Sequence, residues 1–359
     1  MRALLSVSIV LCLCACSAAP DLRWPNGTLL LIGGGLDDDA RAVYERFVEL
    51  AGANGAPRIV VLTAATGPQD QEAIDKTEAL RTWAPTVPVE VVLREASTAD
   101  TVAAIDRASG LFFTGGDQKR ITARYRPEDR PTPEWLAMVR LLTRGGVIAG
   151  ASAGCAMMGQ QMLLGGPNAA ALRIADKAPT PGEPPAQLGP RLGPGMRFLN
   201  GALTDSHFFE RDRIGRVTAS MLAGPDRLAI GVGEDAAVEV DLARGELLGL
   251  TASESLLVDG SHARSVGKRI VGLRARLLPQ GERLPMRAFG SAAQAPMPAA
   301  AAVRNVPVAE PGQNRQLASW RLFRQATNSE GVVRLAFDGW RVFVWRDGDG
   351  LAFELEILD

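Results

Sequence analysis

Short, wholly apolar runs alternate with amphipathic stretches from residue 28 onward, and this alternation predicts the first part of the fold. Residues 28–32 (TLLLI) are apolar at nearly every position and end in Gly33-Gly34-Gly35. Side chains alternate faces along a strand, so such a run belongs to a strand buried on both sides. Residues 37–51 then place Ala40, Val43, Tyr44, Phe47, Val48 and Ala51 on one helical face, with acids in the first turn. Gly52, Asn54 and Gly55 stop that helix. Further strands are predicted at 58–62, 89–93, 110–113 and 146–149, with helices at 70–83, 98–108 and 133–144 between them. A last unit reads as strand 201–204, helix 210–222 and strand 228–232.

This order predicts an α/β fold with a doubly wound, mostly parallel sheet and right-handed crossovers. Ligands of such sheets bind beyond the carboxyl ends of the strands. Three glycine-bearing loops fall at that edge: Gly33-Gly34-Gly35, Gly115-Gly116-Asp117-Gln118 and Gly150-Ala151-Ser152-Ala153-Gly154. Residues 179–194, rich in Pro and Gly, are expected to form a long loop. Beyond about residue 239 the pattern changes to short strands and turns. Residues 290–311 are Ala/Pro-rich and read as a linker. Residues 312–359 read as a small β-rich segment, in which 340–357 alternate around Asp347-Gly348-Asp349-Gly350 as a β-hairpin.

The first twenty residues stand apart from this pattern. Met1-Arg2 gives a positive start, and residues 3–13 are an apolar run too short to span a bilayer. Leu13-Cys14-Ala15-Cys16-Ser17 resembles a bacterial lipoprotein signal, in which the chain is cut before a cysteine that is then acylated, here Cys16. Ordinary secretory cleavage near Ala18 or Ala19 is the alternative. Both readings assign residues 1–20 to export, with a membrane contact only through a lipid anchor. The net charge of −1 argues against nucleic acid as a partner. Three of the four cysteines lie in the signal, which leaves Cys155 as a small packing residue. No Cys/His cluster suggests a metal, and no cofactor is expected.

Gly150 to Gly154 matches G-x-S-x-G between a predicted strand and a helical stretch. A sharp turn there would expose the Ser152 hydroxyl and aim the following backbone N–H, that of Ala153, at a developing oxyanion. A serine nucleophile needs a base, and the chain has two histidines. His262 lies in a turn-like sequence, Asp259-Gly260-Ser261-His262. His207 follows the strand ending at Thr204, which puts it at the same sheet edge as Ser152. The acid that would orient the imidazole is open among Asp205, Glu210, Glu234 and Asp235.

Four blocks, in order, resemble the S51 serine peptidases and within them the cyanophycinases. They are Gly115 to Gln118, Gly150 to Gly154, Asp205-Ser206-His207-Phe208 with Arg211, Arg213 and Arg216, and Ile230-Gly231-Val232-Gly233-Glu234-Asp235. The resemblance covers roughly residues 26–285 and is taken as a catalytic domain. It implies an α/β sheet of class I glutamine-amidotransferase-like, or flavodoxin-like, layering. It also implies a triad of Ser152, His207 and Glu234. The oxyanion donors would be the N–H groups of Ala153 and of the Gly116-Asp117 loop, with Asp117 named. The implied substrate is cyanophycin, a poly-aspartate chain carrying arginine on each side-chain carboxyl through an isopeptide bond, cut to β-Asp-Arg dipeptides. Gln118, Asp205, Ser206, Arg211, Arg213 and Arg216 would bind it, since carboxylates suit arginine forks. Ser206 stands where the family carries glutamine, which alters one contact. A homodimer is expected by family analogy. The alternatives are an aspartyl or isoaspartyl dipeptidase of the same fold and a non-catalytic lipoprotein that binds anionic peptides. An α/β-hydrolase esterase ranks last, because its order is serine, acid, histidine.

Overall fold

The computed structural model describes residues 26–66, 71–166, 168–172, 189–287, 297–298, 303–307 and 318–358. The expected export signal with Cys16, most of the 179–194 loop and most of the 290–311 linker lie outside the described residues.

The first part of the chain follows the predicted alternation. It runs β1 (Thr28–Ile32), α1 (Arg41–Ala51), β2 (Ile59–Leu62), α2 (Gln71–Trp83) and β3 (Val89–Val92). Next come α3 (Thr98–Arg107), β4 (Gly110–Phe113), α4 (Gln118–Tyr125), α5 (Pro133–Thr143) and β5 (Val147–Ala151). These strands pair in parallel in the order β3-β2-β4-β5-β1. Their side chains divide between two cores as a period of two demands. Leu29, Leu31, Val60, Leu62, Leu111 and Phe113 join Ile105 of α3 and Trp135 and Leu141 of α5. Leu30, Ile32, Ile59, Val61 and Phe112 join Val43 and Phe47 of α1 and Leu80 of α2. Each such buried side chain contributes roughly 1.5–3 kcal/mol.

Two local features differ from expectation. The first helix begins at Arg41, because the residues before it are used in tertiary contacts: the Asp37 backbone N–H donates to Asp235 Oδ1 at 3.2 Å, and the Asp38 carboxylate pairs with Lys76 at 2.9 Å. Helix α4 was not predicted. Its buried positions are Ile121, Thr122 and Tyr125 in an otherwise polar sequence, and its start is fixed by Asp117, whose carboxylate caps the N–H of Lys119.

The second part departs further. After β5 come α6 (Ala153–Ala156), β6 (Gln161–Leu163), α7 (Asn168–Leu172), β7 (Leu192–Pro194), β8 (Ala202–Asp205), α8 (Ile214–Ala223) and β9 (Leu228–Val232). Then follow β10 (Ala237–Asp241), β11 (Glu246–Gly249), β12 (Ser255–Asp259), β13 (Arg264–Val266), β14 (Arg269–Leu278) and β15 (Arg283–Pro285). The chain closes with β16 (Val303–Val306), α9 (Ala318–Thr327), β17 (Val332–Phe337), β18 (Trp340–Asp347) and β19 (Gly350–Ile357).

The sequence places β8 and β9 in the parallel sheet. They instead begin a second, largely antiparallel sheet in the order β16-β17-β18-β19-β14-β12-β9-β8. The predicted hairpin at 340–357 is present as β18–β19, but it is no separate appendage, because β19 pairs with β14. The chain returns to the first sheet at β10, which runs antiparallel to β1 and is extended by β11 and β15. The fold is therefore α/β, with one mixed, mostly parallel sheet and a second β-rich sheet spanning the C-terminal half. One core joins them, since Leu29, Leu31 and Ile148 share a cluster with Ile230, Val232, Leu257 and Leu278. The far face of the second sheet packs Ala229, Leu256 and Val258 with Val217 of α8 and Leu322 and Phe323 of α9.

Candidate active site

Ser152 sits at the turn between β5 and α6 with φ 51° and ψ −104°. A non-glycine residue held there costs about 1–3 kcal/mol and persists only when its surroundings fix it. They do so here: Ser152 N–H donates to the Ile32 carbonyl at 3.0 Å, and its own carbonyl accepts from Ala156 N–H at 2.9 Å. Burial pushes the thiol of neighbouring Cys155 up and away from nucleophilic use, in line with its reading as packing.

His207 follows β8, also at positive φ (45°). Its N–H donates to the Gly33 carbonyl at 2.8 Å, so the loop after β1 holds both residues. Gly34 makes the approach feasible. At φ +99° it leaves open a volume in which a Cβ would lie 2.4 Å from His207 Cε1 and 3.1 Å from Ser152 Cβ. The two side chains meet there, with Ser152 Oγ 2.8 Å from His207 Nε2. On the other side of the ring, His207 Nδ1 lies 2.6 Å from Glu234 Oε1. The imidazole tautomer protonated on Nδ1 donates to Glu234 and leaves Nε2 to accept the serine proton.

Glu234 lies where the chain crosses from β9 to β10, and so from the second sheet to the first. The crossing is clamped to the β1 loop by Gly33 N–H to Ala236 O at 3.0 Å and Asp235 N–H to Gly34 O at 3.2 Å. A Cβ on Gly33 would fall 1.8 Å from the Gly233 carbonyl, which explains glycine there. Burial holds His207 below the ordinary imidazole range; hydrogen bonding to Glu234 opposes this, and the charges of Arg211 and Arg213 reinforce it. The imidazole is thereby held toward its neutral form.

The geometry decides between the four acids. Glu234 reaches the imidazole. Asp235 accepts from Asp37 N–H, and Asp205 is enclosed by arginines. Glu210 lies beside Glu234 with Oε2 buried and unpartnered among the described residues. Its carboxyl is raised, first by burial and further by the charges of Glu234 and Asp235. His262 is exposed, just past the end of β12 that pairs with the start of β9, at the opposite end of the sheet from His207.

Several expected substrate contacts take another form. Asp205 is 1 % exposed and accepts from Arg213 Nη1 at 2.9 Å and Arg216 Nε at 2.7 Å. Arg216 is buried as well, so Asp205 and Arg216 form an internal ion pair and are not placed to meet a ligand directly. Desolvation lowers Arg213 to about 10, leaving it charged. Ser206 is buried, its N–H on Asp205 and its carbonyl accepting from Arg213 Nη1 at 2.6 Å. Gln118 Nε2 donates to Leu163 O at 2.6 Å. Arg211 alone of the three arginines is exposed. The Asp117 N–H is committed to the Ala65 carbonyl at 3.0 Å, which removes it as an oxyanion donor. The first N–H of α6, that of Ala153, has no intrahelical acceptor and is free for that role.

Sequence comparison finds similarity to known enzymes. The chain is 29 % identical over 289 residues to a cyanophycinase of Trichormus variabilis, covering 75 % of this chain and 87 % of that protein. It matches a cyanophycinase of a Nostoc species to the same degree. A cyanophycinase of Geminocystis herdmanii is 24 % identical over 230 residues, covering 59 % of this chain and 74 % of the relative. Among solved structures, a peptidase from an acI-B1 Actinobacterium superposes with a TM-score of 0.53 at 19 % identity, covering 73 % of this chain and 98 % of that one, which supports the fold. No family model matches the chain. Over three quarters of its length, the chain is thus similar to proteins that are cyanophycinases.

Proposed function

We propose that this protein hydrolyses cyanophycin-type polymer to β-Asp-Arg dipeptides through a Ser152-His207-Glu234 triad and an acyl-enzyme. The observation that carries the reading is the continuous Ser152–His207–Glu234 hydrogen-bond line of 2.8 and 2.6 Å. Nε2 of neutral His207 takes the Ser152 proton as Oγ attacks the scissile carbonyl. The resulting oxyanion is met by the N–H of Ala153 and a second N–H from the Gly116 loop. His207 then gives its proton to the leaving nitrogen, the C–N bond breaks, and a serine ester remains. Water, deprotonated by the same imidazole, attacks the ester and releases Ser152. Glu234 stays ionised throughout and stabilises the imidazolium.

A peptide substrate follows from the homology; the polymer is the finer proposal. Arg211, exposed beside the base, offers a fork to a substrate carboxylate. Asp205, Arg213 and Arg216 act behind it by fixing the loop that bears His207. Residues 1–20 direct export in this reading, with Cys16 as the acylated residue. Loss of membrane association on Cys16→Ser tests that part.

The test is incubation of the signal-free chain with insoluble cyanophycin and mass analysis of the soluble products. Wild type is expected to release β-Asp-Arg, and Ser152→Ala to lose at least about 10⁴-fold in rate. Release undiminished in Ser152→Ala would refute the triad. Hydrolysis of aspartyl dipeptides without polymer release would favour the dipeptidase.

A further inference from the structure

We infer that a mixed-charge groove beside the catalytic edge, built largely by the C-terminal segment, is an accessory subsite for the arginyl arms of an extended polymer. This rests on the polymer reading above and deepens it. The groove has a volume of about 270 Å³ and lies between the end of β14, the β18–β19 turn and the last turn of α9. Arg276, Arg324 and Arg346 line it together with Glu282 and Asp349.

Its position follows from strand register. Val232, the last residue of β9 before the Glu234 turn, pairs with Ser255 of β12, and Ser255 pairs with Leu278 of β14. The β14 wall of the groove therefore lies on the same rim as Glu234, two strand spacings or about 10 Å away, and Arg346 on β18 lies two spacings further out, at about 19 Å. About three extended residues reach the near wall and about six reach Arg346. A single dipeptide cannot occupy both places, whereas a polymer can.

The chemistry is complementary. Each arm of the polymer ends in a guanidinium and a free α-carboxylate. Arg346 is exposed and has no carboxylate partner among the described residues. Arg276 is 3.7 Å from Glu282 and 3.4 Å from Asp349, longer than a charge-assisted hydrogen bond of about 2.8 Å, so it can exchange these contacts for a ligand carboxylate. Arg324 is held by buried Glu254 at 2.9 Å and acts as wall. Asp349, 81 % exposed, and Glu282 are available to guanidinium groups. Opposed charges side by side suit a zwitterionic repeat better than a simple anion.

Binding is read by co-sedimentation of the Ser152→Ala protein with insoluble cyanophycin. Adding Arg346→Ala with Arg276→Ala is expected to weaken binding at least about tenfold, the effect that loss of even one of the two charge-assisted contacts implies. Arg346→Glu, at an exposed site, gives the same sign without risk to the fold. In the intact enzyme, the ratio of the rate on polymer to the rate on a two-unit oligomer is expected to fall about tenfold. Variants that keep wild-type affinity and rate ratio would overturn the groove and leave the hydrolase standing. Polymer binding that depends on Arg346, with no β-Asp-Arg released by the intact chain, would overturn the proposed activity alone.

Discussion

The two sheets contribute unequal parts of the candidate site. The first supplies Ser152 from β5, seated on the β1 loop, in a parallel arrangement of short βα crossovers. The second supplies His207 from β8, and Glu234 lies on the chain's passage back. The serine turn thus depends on neighbours close along the fold, whereas the base depends on a sheet whose pairings reach from β8 to β19. Residues far from the chemistry in the C-terminal half therefore support the base. Asp212, in the turn after His207, accepts the Ser319 N–H of α9 at 3.0 Å. Glu254, next to β12, accepts from Trp320 and Arg324 of the same helix.

Substitutions can break this division in order of expected effect. Ser152→Ala, on the first sheet, removes the proposed nucleophile and is expected to leave the fold, with the loss of at least about 10⁴-fold given above. Asp205→Ala, on the second, strands Arg213 and Arg216 as buried cations and is expected to cost about 3–5 kcal/mol in denaturant unfolding. A cost near zero would mean that the pair contributes nothing to holding the His207 loop. Gly34→Ala acts at the seam, where the new Cβ collides with the imidazole. A fall of about 10² in kcat/KM is expected, since displacements near 1 Å cost that much; unchanged kinetics would show that the Ser–His approach does not need this opening.

The smallest effect is on pH dependence. The proposed mechanism needs neutral His207, so kcat/KM is expected to rise with pH through its pKa, and burial with the arginine charges places that limb below the ordinary value of about 6.5. Arg211→Gln removes one of those charges and should move the limb upward, as should added salt, because Arg211 is exposed. A limb that moves downward in a pH–rate series would contradict the assignment of His207.

The first sheet was readable because each strand is an apolar run flanked by amphipathic helices or glycine stops, and residues 28–32, 58–62 and 110–113 could hardly be otherwise. The same apolar pattern does not place β8 and β9. An apolar run such as Leu228–Val232 states that both faces are buried and says nothing about which strand lies beside it. Helix α9 was missed, although Ala318, Leu322, Phe323 and Ala326 already mark one helical face. Ser152 and His207 were legible from the turn motif, the scarcity of histidine and the shared sheet edge. The acid was not, because Asp205, Glu210, Glu234 and Asp235 all cluster near that edge, and only the crossing geometry brings one of them to Nδ1.

The central claim is that the second sheet delivers the base that activates a serine held by the first. Labelling with a serine-directed phosphonate, followed by peptide mapping, tests it most directly. The account predicts one modified residue, Ser152, with labelling lost in Ser152→Ala and slowed at least about 10³-fold in His207→Ala. Label on another residue, or an undiminished rate without His207, would contradict it.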